Sequence, residues 1–85
     1  MMKDKVIQTT GRIWKLLGEK GPISVSQLAK SLKASEEITN QAVGWLARED
    51  KIKYIKKGTR FIISLVDTEQ QIYNMLSQKP VLANQ

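Results

Sequence analysis

Between positions 35 and 52 the apolar residues Ile38, Ala42, Val43, Trp45 and Leu46 recur at helical spacing, with Ala42 and Leu46 four and eight residues after Ile38. Ser35 stands at the N-cap position. Glu36 and Glu37 follow in the first turn, where the helix dipole favours negative charge. After Arg48-Glu49-Asp50 the period changes. Ile52, Tyr54 and Ile55 stand among lysines, Lys57-Gly58-Thr59 supplies a glycine for a tight turn, and Phe61-Ile62-Ile63 resumes the apolar pattern. This predicts a helix that runs into a β-hairpin with strands at 51–56 and 60–66. Alternation in the strands is imperfect, because Tyr54-Ile55 and Phe61-Ile62-Ile63 are consecutive apolar residues. One face of the hairpin should cover helices; part of the other is left for a partner or the C-terminal segment.

Upstream, Val6, Ile13 and Leu17 define a stripe over 3–17, with Thr10 filling the gap, and Gly18 and Gly21-Pro22 end that helix. Gly11 inside it costs about 1 kcal/mol of helix propensity and suggests a close backbone contact. Trp14 reads as a core aromatic or as an interface anchor. Ile23 to Val25 can form a short first strand. Ser24 with Gln27 has the spacing of a capping box, and Val25, Leu28, Ala29 and Leu32 give the next helix its buried face. Only Lys33-Ala34 separates that helix from Ser35, so the two must cross steeply as a helix–turn–helix. Thr68 with Gln71 opens a last helix over 69–77 whose apolar side is Ile72, Met75 and Leu76, with Tyr73 beside it. Lys79-Pro80 ends it, leaving a loose tail at 79–85 after a single domain at 1–78. The predicted class is α+β: a three-helix core, a short first strand, a two-stranded wing and a C-terminal helix.

Eighty-five residues give a small core, for which self-association is a plausible source of further burial. The chain has no Cys and no His, which removes thiolate chemistry, zinc sites of the usual donors, and the commonest general base. The acids Glu36-Glu37 and Glu49-Asp50 form adjacent pairs more than a helical turn apart, which suits a solvated face better than a metal site. No nucleophile–base spacing or glycine-rich phosphate loop is present, so neither catalytic residues nor a cofactor or small-molecule substrate is expected. No apolar run approaches the ~18 residues of a membrane span, and the start MMKDKVIQTT lacks the apolar core of a signal peptide, so a cytoplasmic protein is expected.

The net charge of +6 suits a polyanion or simple solubility. Its distribution says more. Residues 51–60 hold Lys51, Lys53, Lys56, Lys57 and Arg60 with no acid, whereas residues 35–50 hold four acids against Arg48 alone.

The run Gly44-Trp45-Leu46-Ala47-Arg48-Glu49-Asp50-Lys51-Ile52, together with Ile13-Trp14 and Leu16-Leu17, resembles a family of small stand-alone bacterial and archaeal winged helix-turn-helix proteins, largely uncharacterised, over about residues 7–66. The resemblance implies the winged-helix fold and a homodimer. In winged helices generally the second helix of the motif enters the DNA major groove and the wing touches the backbone or minor groove. That assigns residues 36–48 the recognition role and 56–60 the wing role.

Two functions follow as expectations. The first is a DNA-binding protein, a transcriptional regulator acting as a homodimer and contacting double-stranded DNA through Lys33, Thr39, Asn40, Gln41, Arg48, Lys56, Lys57 and Arg60. The second is a protein-interaction module on the same scaffold. In either case the dimer interface is expected at Trp14, Ile72, Tyr73, Met75 and Leu76. Gly44 in mid-helix implies a close approach, to DNA, to a partner helix, or, the preferred reading, to make room for Trp45. Whether Trp45 is core or surface is left open by its place at the edge of the stripe.

Overall fold

The computed structural model describes residues 2–77. They run α1 (Met2–Lys20), β1 (Ile23–Ser24), α2 (Val25–Leu32), α3 (Glu36–Arg48), β2 (Ile52–Lys57), β3 (Arg60–Leu65) and α4 (Asp67–Ser77). The three strands form an antiparallel sheet in the order β1-β3-β2. Two crossed helices followed by a hairpin make this a winged helix-turn-helix. The tail expected at 79–85 lies outside the described residues.

The helix starts follow from their caps. Ser24 Oγ accepts from the Gln27 amide at 3.2 Å, and Ser35 Oγ accepts from the Ile38 amide at 3.1 Å. The turn between α2 and α3 is closed by Lys33, whose φ of 54° is left-handed, and by the Ala34 amide donating to the Ala29 carbonyl at 3.1 Å. Asp50 plays the same part after α3, with φ 59° and the Lys51 amide on the Leu46 carbonyl at 3.0 Å.

Ile13, Leu17, Leu28, Ala42 and Ile63 have no exposed surface and form the centre of the core. They come from α1, α2, α3 and β3, so no helix could bury its stripe alone. Ile52 and Leu65, paired across the hairpin, extend the core under α3.

The structure corrects four details. α1 continues through Gly18 to Lys20, and Gly21, at φ 80°, is the residue that ends it, its amide donating to the Leu17 carbonyl at 2.8 Å. The buried residue between Val6 and Ile13 is Thr9, not Thr10; its hydroxyl donates to the Lys5 carbonyl at 2.6 Å. Gly11 is exposed and, apart from its chain neighbours and its own helix backbone, has no heavy atom of the described residues within 4 Å of where a Cβ would lie, so no close contact with another element explains it. α4 starts at Asp67, two residues before the expected 69, which puts Thr68 inside the helix instead of capping it.

Candidate nucleic-acid interface

The exposed surface of α3 follows from helical geometry. Thr39, Ala42, Val43 and Leu46 face inward. At 100° per residue the outward positions then spread in an arc: Asn40 and Gly44 on one flank, Glu37 and Arg48 in the middle, and Gln41 and Trp45 on the other flank. The first flank faces the wing, where Asn40, Val43 and Gly44 line a groove with Tyr54, Arg60 and Phe61. The second faces the start of α1, where Gln41 and Trp45 line a smaller cleft with Met2, Lys3 and Val6. Trp45 is 42% exposed, which makes it a surface residue. The two amides expected to contact DNA, Asn40 and Gln41, therefore lie on different flanks of the outward arc and line different clefts.

Thr39 leaves the site. It is completely buried, and its hydroxyl donates to the Ser35 carbonyl at 2.8 Å. The inward stripe opens on Thr39, so Ile38 is only half-buried. Gly44 is exposed, and apart from its chain neighbours and its own helix backbone no heavy atom of the described residues lies within 4 Å of a Cβ position.

The wing is a hairpin whose turn is Gly58-Thr59, with Lys57 paired to Arg60. Gly58 has φ 63° and Thr59 does not share it, the pattern of a type II′ turn. Period-2 geometry puts Ile52, Tyr54 and Lys56 on one face with Phe61, Ile63 and Leu65. Near the base this face is core. Towards the tip it runs past the helices, and Tyr54 and Phe61 emerge, with ring centroids 6.4 Å apart and planes at 88°. Neither residue was singled out from the sequence as part of a site. The signal was present in the register, since a two-residue turn fixes both on the core-facing side of the ladder.

The cations divide into two kinds. At the wing base, Lys51 lies 3.8 Å from Glu49 and Lys53 lies 3.9 Å from Asp67. Towards the tip, Lys56, Lys57 and Arg60 are exposed and have no carboxylate within 4.0 Å among the described residues. Lys33 sits elsewhere, in a cleft with Lys5, Arg12 and Ser35 at the N-terminal end of α3. Arg12 is committed there, donating to the Leu32 carbonyl at 2.5 Å. Arg48 is exposed on the last turn of α3.

Of the residues expected at a dimer interface, Trp14 and Tyr73 are engaged inside the chain. Trp14 Nε1 donates to Glu69 Oε1 at 2.8 Å, and its ring meets that of Tyr73 edge-on at 5.6 Å. Ile72, Met75 and Leu76 remain exposed, the last two at 72% each. Trp14, Ile72 and Leu76 do share one groove between α1 and α4.

The described residues include no group of three or more His, Cys, Asp or Glu side chains placed to hold a metal ion, and no helix among them is long and apolar enough to cross a membrane. Three crossed helices, a short sheet and a basic wing define a winged helix-turn-helix domain. The chain matches the winged helix-turn-helix domain family DUF2582 over residues 1–65, and it belongs to that family. It is 42% identical over 67 residues to the uncharacterized protein MJ1608 of Methanocaldococcus jannaschii, covering 75% of this chain and 94% of that protein. Among solved structures it is similar to ZitR of Lactococcus lactis, at TM-score 0.73 and 19% identity over 87% of this chain and 58% of that one. It is also similar to the transcriptional regulator HlyU of Vibrio vulnificus, at TM-score 0.72 and 19% identity over 88% of this chain and 80% of that one. The chain thus spans little more than half the length of ZitR. At these identities the likeness to the two structures is one of fold.

Proposed function

We propose that this protein is a cytoplasmic DNA-binding regulator that acts as a homodimer, with α3 in the major groove and the wing on the phosphate backbone. The observation that carries this reading is the division of charge along the hairpin. The basal lysines face carboxylates, while Lys56, Lys57 and Arg60 are left free to meet phosphates. Lysine and arginine contacts to phosphate supply most non-specific affinity for DNA. On α3, Asn40 offers an amide able to pair with adenine, and Arg48 a guanidinium for guanine or phosphate. Glu36 and Glu37 restrict how closely the N-terminal turn can approach a phosphate, so the outward face of α3 from Asn40 to Arg48 and the wing carry the contact. The likeness to HlyU, described as a transcriptional regulator, supports the same reading by fold.

The test is a titration of the protein against a mixed-sequence duplex over a series of salt concentrations. Binding whose logarithm falls linearly with the logarithm of salt is the expected result. Absent or salt-independent binding removes the proposal.

A second reading is favoured by α4. Ile72, Met75 and Leu76 expose an apolar stripe that nothing within the described chain covers. On this reading the scaffold serves protein association alone. Self-association without any affinity for DNA would decide for it.

A further inference from the structure

We infer that the groove between α3 and the wing holds an unpaired nucleotide, so that the protein binds single-stranded DNA as well as duplex. The inference rests on the reading of the wing as a DNA-contacting surface and deepens it.

The groove is an open cleft of about 660 Å³, within the ~300–1,000 Å³ typical of sites that take small organic groups. One wall is Tyr54 and Phe61, which are 51% and 54% exposed. As diagonal neighbours across the hairpin they meet edge-to-face, an arrangement that favours this orientation before anything binds. Single large apolar residues at a surface are ordinary; two aromatic rings held together at the mouth of one groove are a stacking platform.

The opposite wall is α3 at Asn40, Val43 and Gly44. A glycine in mid-helix costs about 1 kcal/mol relative to alanine. Apart from its two chain neighbours and the backbone of its own helix, no atom of the described residues lies within 4 Å of the missing Cβ, so packing against another element does not account for that cost. What the glycine does provide is a bare wall facing the two rings. Asn40 beside it supplies a donor and an acceptor for a base edge.

Charge selects the occupant. Arg60 lines the groove, and Lys56 and Lys57 on the same wing have no carboxylate partner among the described residues. A polyanion threaded here is tethered by its phosphates while one base enters between the walls. A free small molecule would have no such tether, and rings that are half exposed leave much of it in water. The base must be unpaired, because in an intact duplex its faces are covered by its neighbours and cannot reach Tyr54 or Phe61.

The experiment measures the affinity of the full chain for a labelled mixed-sequence single strand and for the same strand annealed to its complement, at low salt. It is repeated for Phe61→Ala and Tyr54→Ala, each of which removes one ring of the platform. Both variants are expected to weaken single-strand binding at least about fivefold, the lower end of one base–aromatic stack, and to change duplex binding by less than about twofold. Circular dichroism checks that each variant is folded. Equal losses on both ligands, or no loss on the single strand, overturn the inference and leave the duplex reading standing. Failure to bind either ligand overturns both.

Discussion

The ring of Tyr73 occupies the space over Gly18 that any other residue would fill with its Cβ: a carbon built there overlaps the ring directly. α4 is seated on α1 at this point. Gln70 reinforces the contact, its side-chain amide donating to the Gly18 carbonyl at 3.0 Å, and Trp14 meets the same ring edge-on. Gly18→Ala should therefore destabilise the protein by about 1–3 kcal/mol, as overpacking does. In a Tyr73→Ala background the same change should stabilise, by up to about 1 kcal/mol, because only the gain in helix propensity remains. Urea unfolding of the four proteins measures both. The same sign in both backgrounds would show that the ring does not depend on Gly18.

The burial of Thr39 separates a packing residue from Asn40, the proposed contact one position away. Thr39→Val keeps the shape of the side chain, and the Ser35 carbonyl it releases still accepts from the Thr39 amide at 3.0 Å. Stability should fall by no more than about 1 kcal/mol, the net worth of a typical hydrogen bond, and duplex affinity should not change. Asn40→Ala should do the reverse, lowering affinity with little effect on unfolding. Paired melting and DNA titrations check this. A loss of affinity in Thr39→Val as large as in Asn40→Ala would put Thr39 back among the contacts.

Much of the fold could be read from spacing because the relevant signals are local. Ser24 and Ser35 cap the helices they were expected to cap, and the hairpin turns at Gly58 as its neighbours suggested. Two of the misreadings share a cause, since each depended on a distant part of the chain. Gly18 looks like a stop signal until Tyr73, fifty-five positions on, is known to rest on it. Thr68-x-x-Gln71 has the form of a capping box, yet the chain turns into α4 straight from β3, with Val66 tied to Lys51 at 3.0 Å and its carbonyl accepting from Gln70 at 3.0 Å. At the candidate site the charges were legible, since Lys56, Lys57 and Arg60 lie in an acid-free run. Tyr54 and Phe61 were not. They share a face with Ile63 and Leu65, and only the point at which the helical layer ends makes them surface.

The two kinds of wing cation should behave differently. Replacing Lys56, Lys57 and Arg60 together by Gln should reduce the slope of log affinity against log salt by up to about 3, one for each phosphate left without its cation. Lys51→Gln with Lys53→Gln should change it much less, because those lysines already face Glu49 and Asp67. Exposed ion pairs of that length contribute little to stability, so neither set should alter unfolding by more than about 1 kcal/mol. Equal slopes for the two sets would remove the distinction on which the DNA reading depends.

The exposed side of α4 predicts self-association. Met75 and Leu76 find no cover within the described chain, while Trp14 and Tyr73 beneath them hold α4 against α1. A second copy could bury Ile72, Met75 and Leu76 against the same groove of its partner, giving a self-complementary contact of two-fold symmetry. Sedimentation at micromolar concentration should then show a dimer. Leu76→Lys should yield a monomer whose own fold is intact, since Leu76 is 72% exposed. DNA affinity should fall with it, because two linked motifs gain avidity that one lacks. A native protein that sediments as a monomer would exclude the dimer and leave each wing to bind alone.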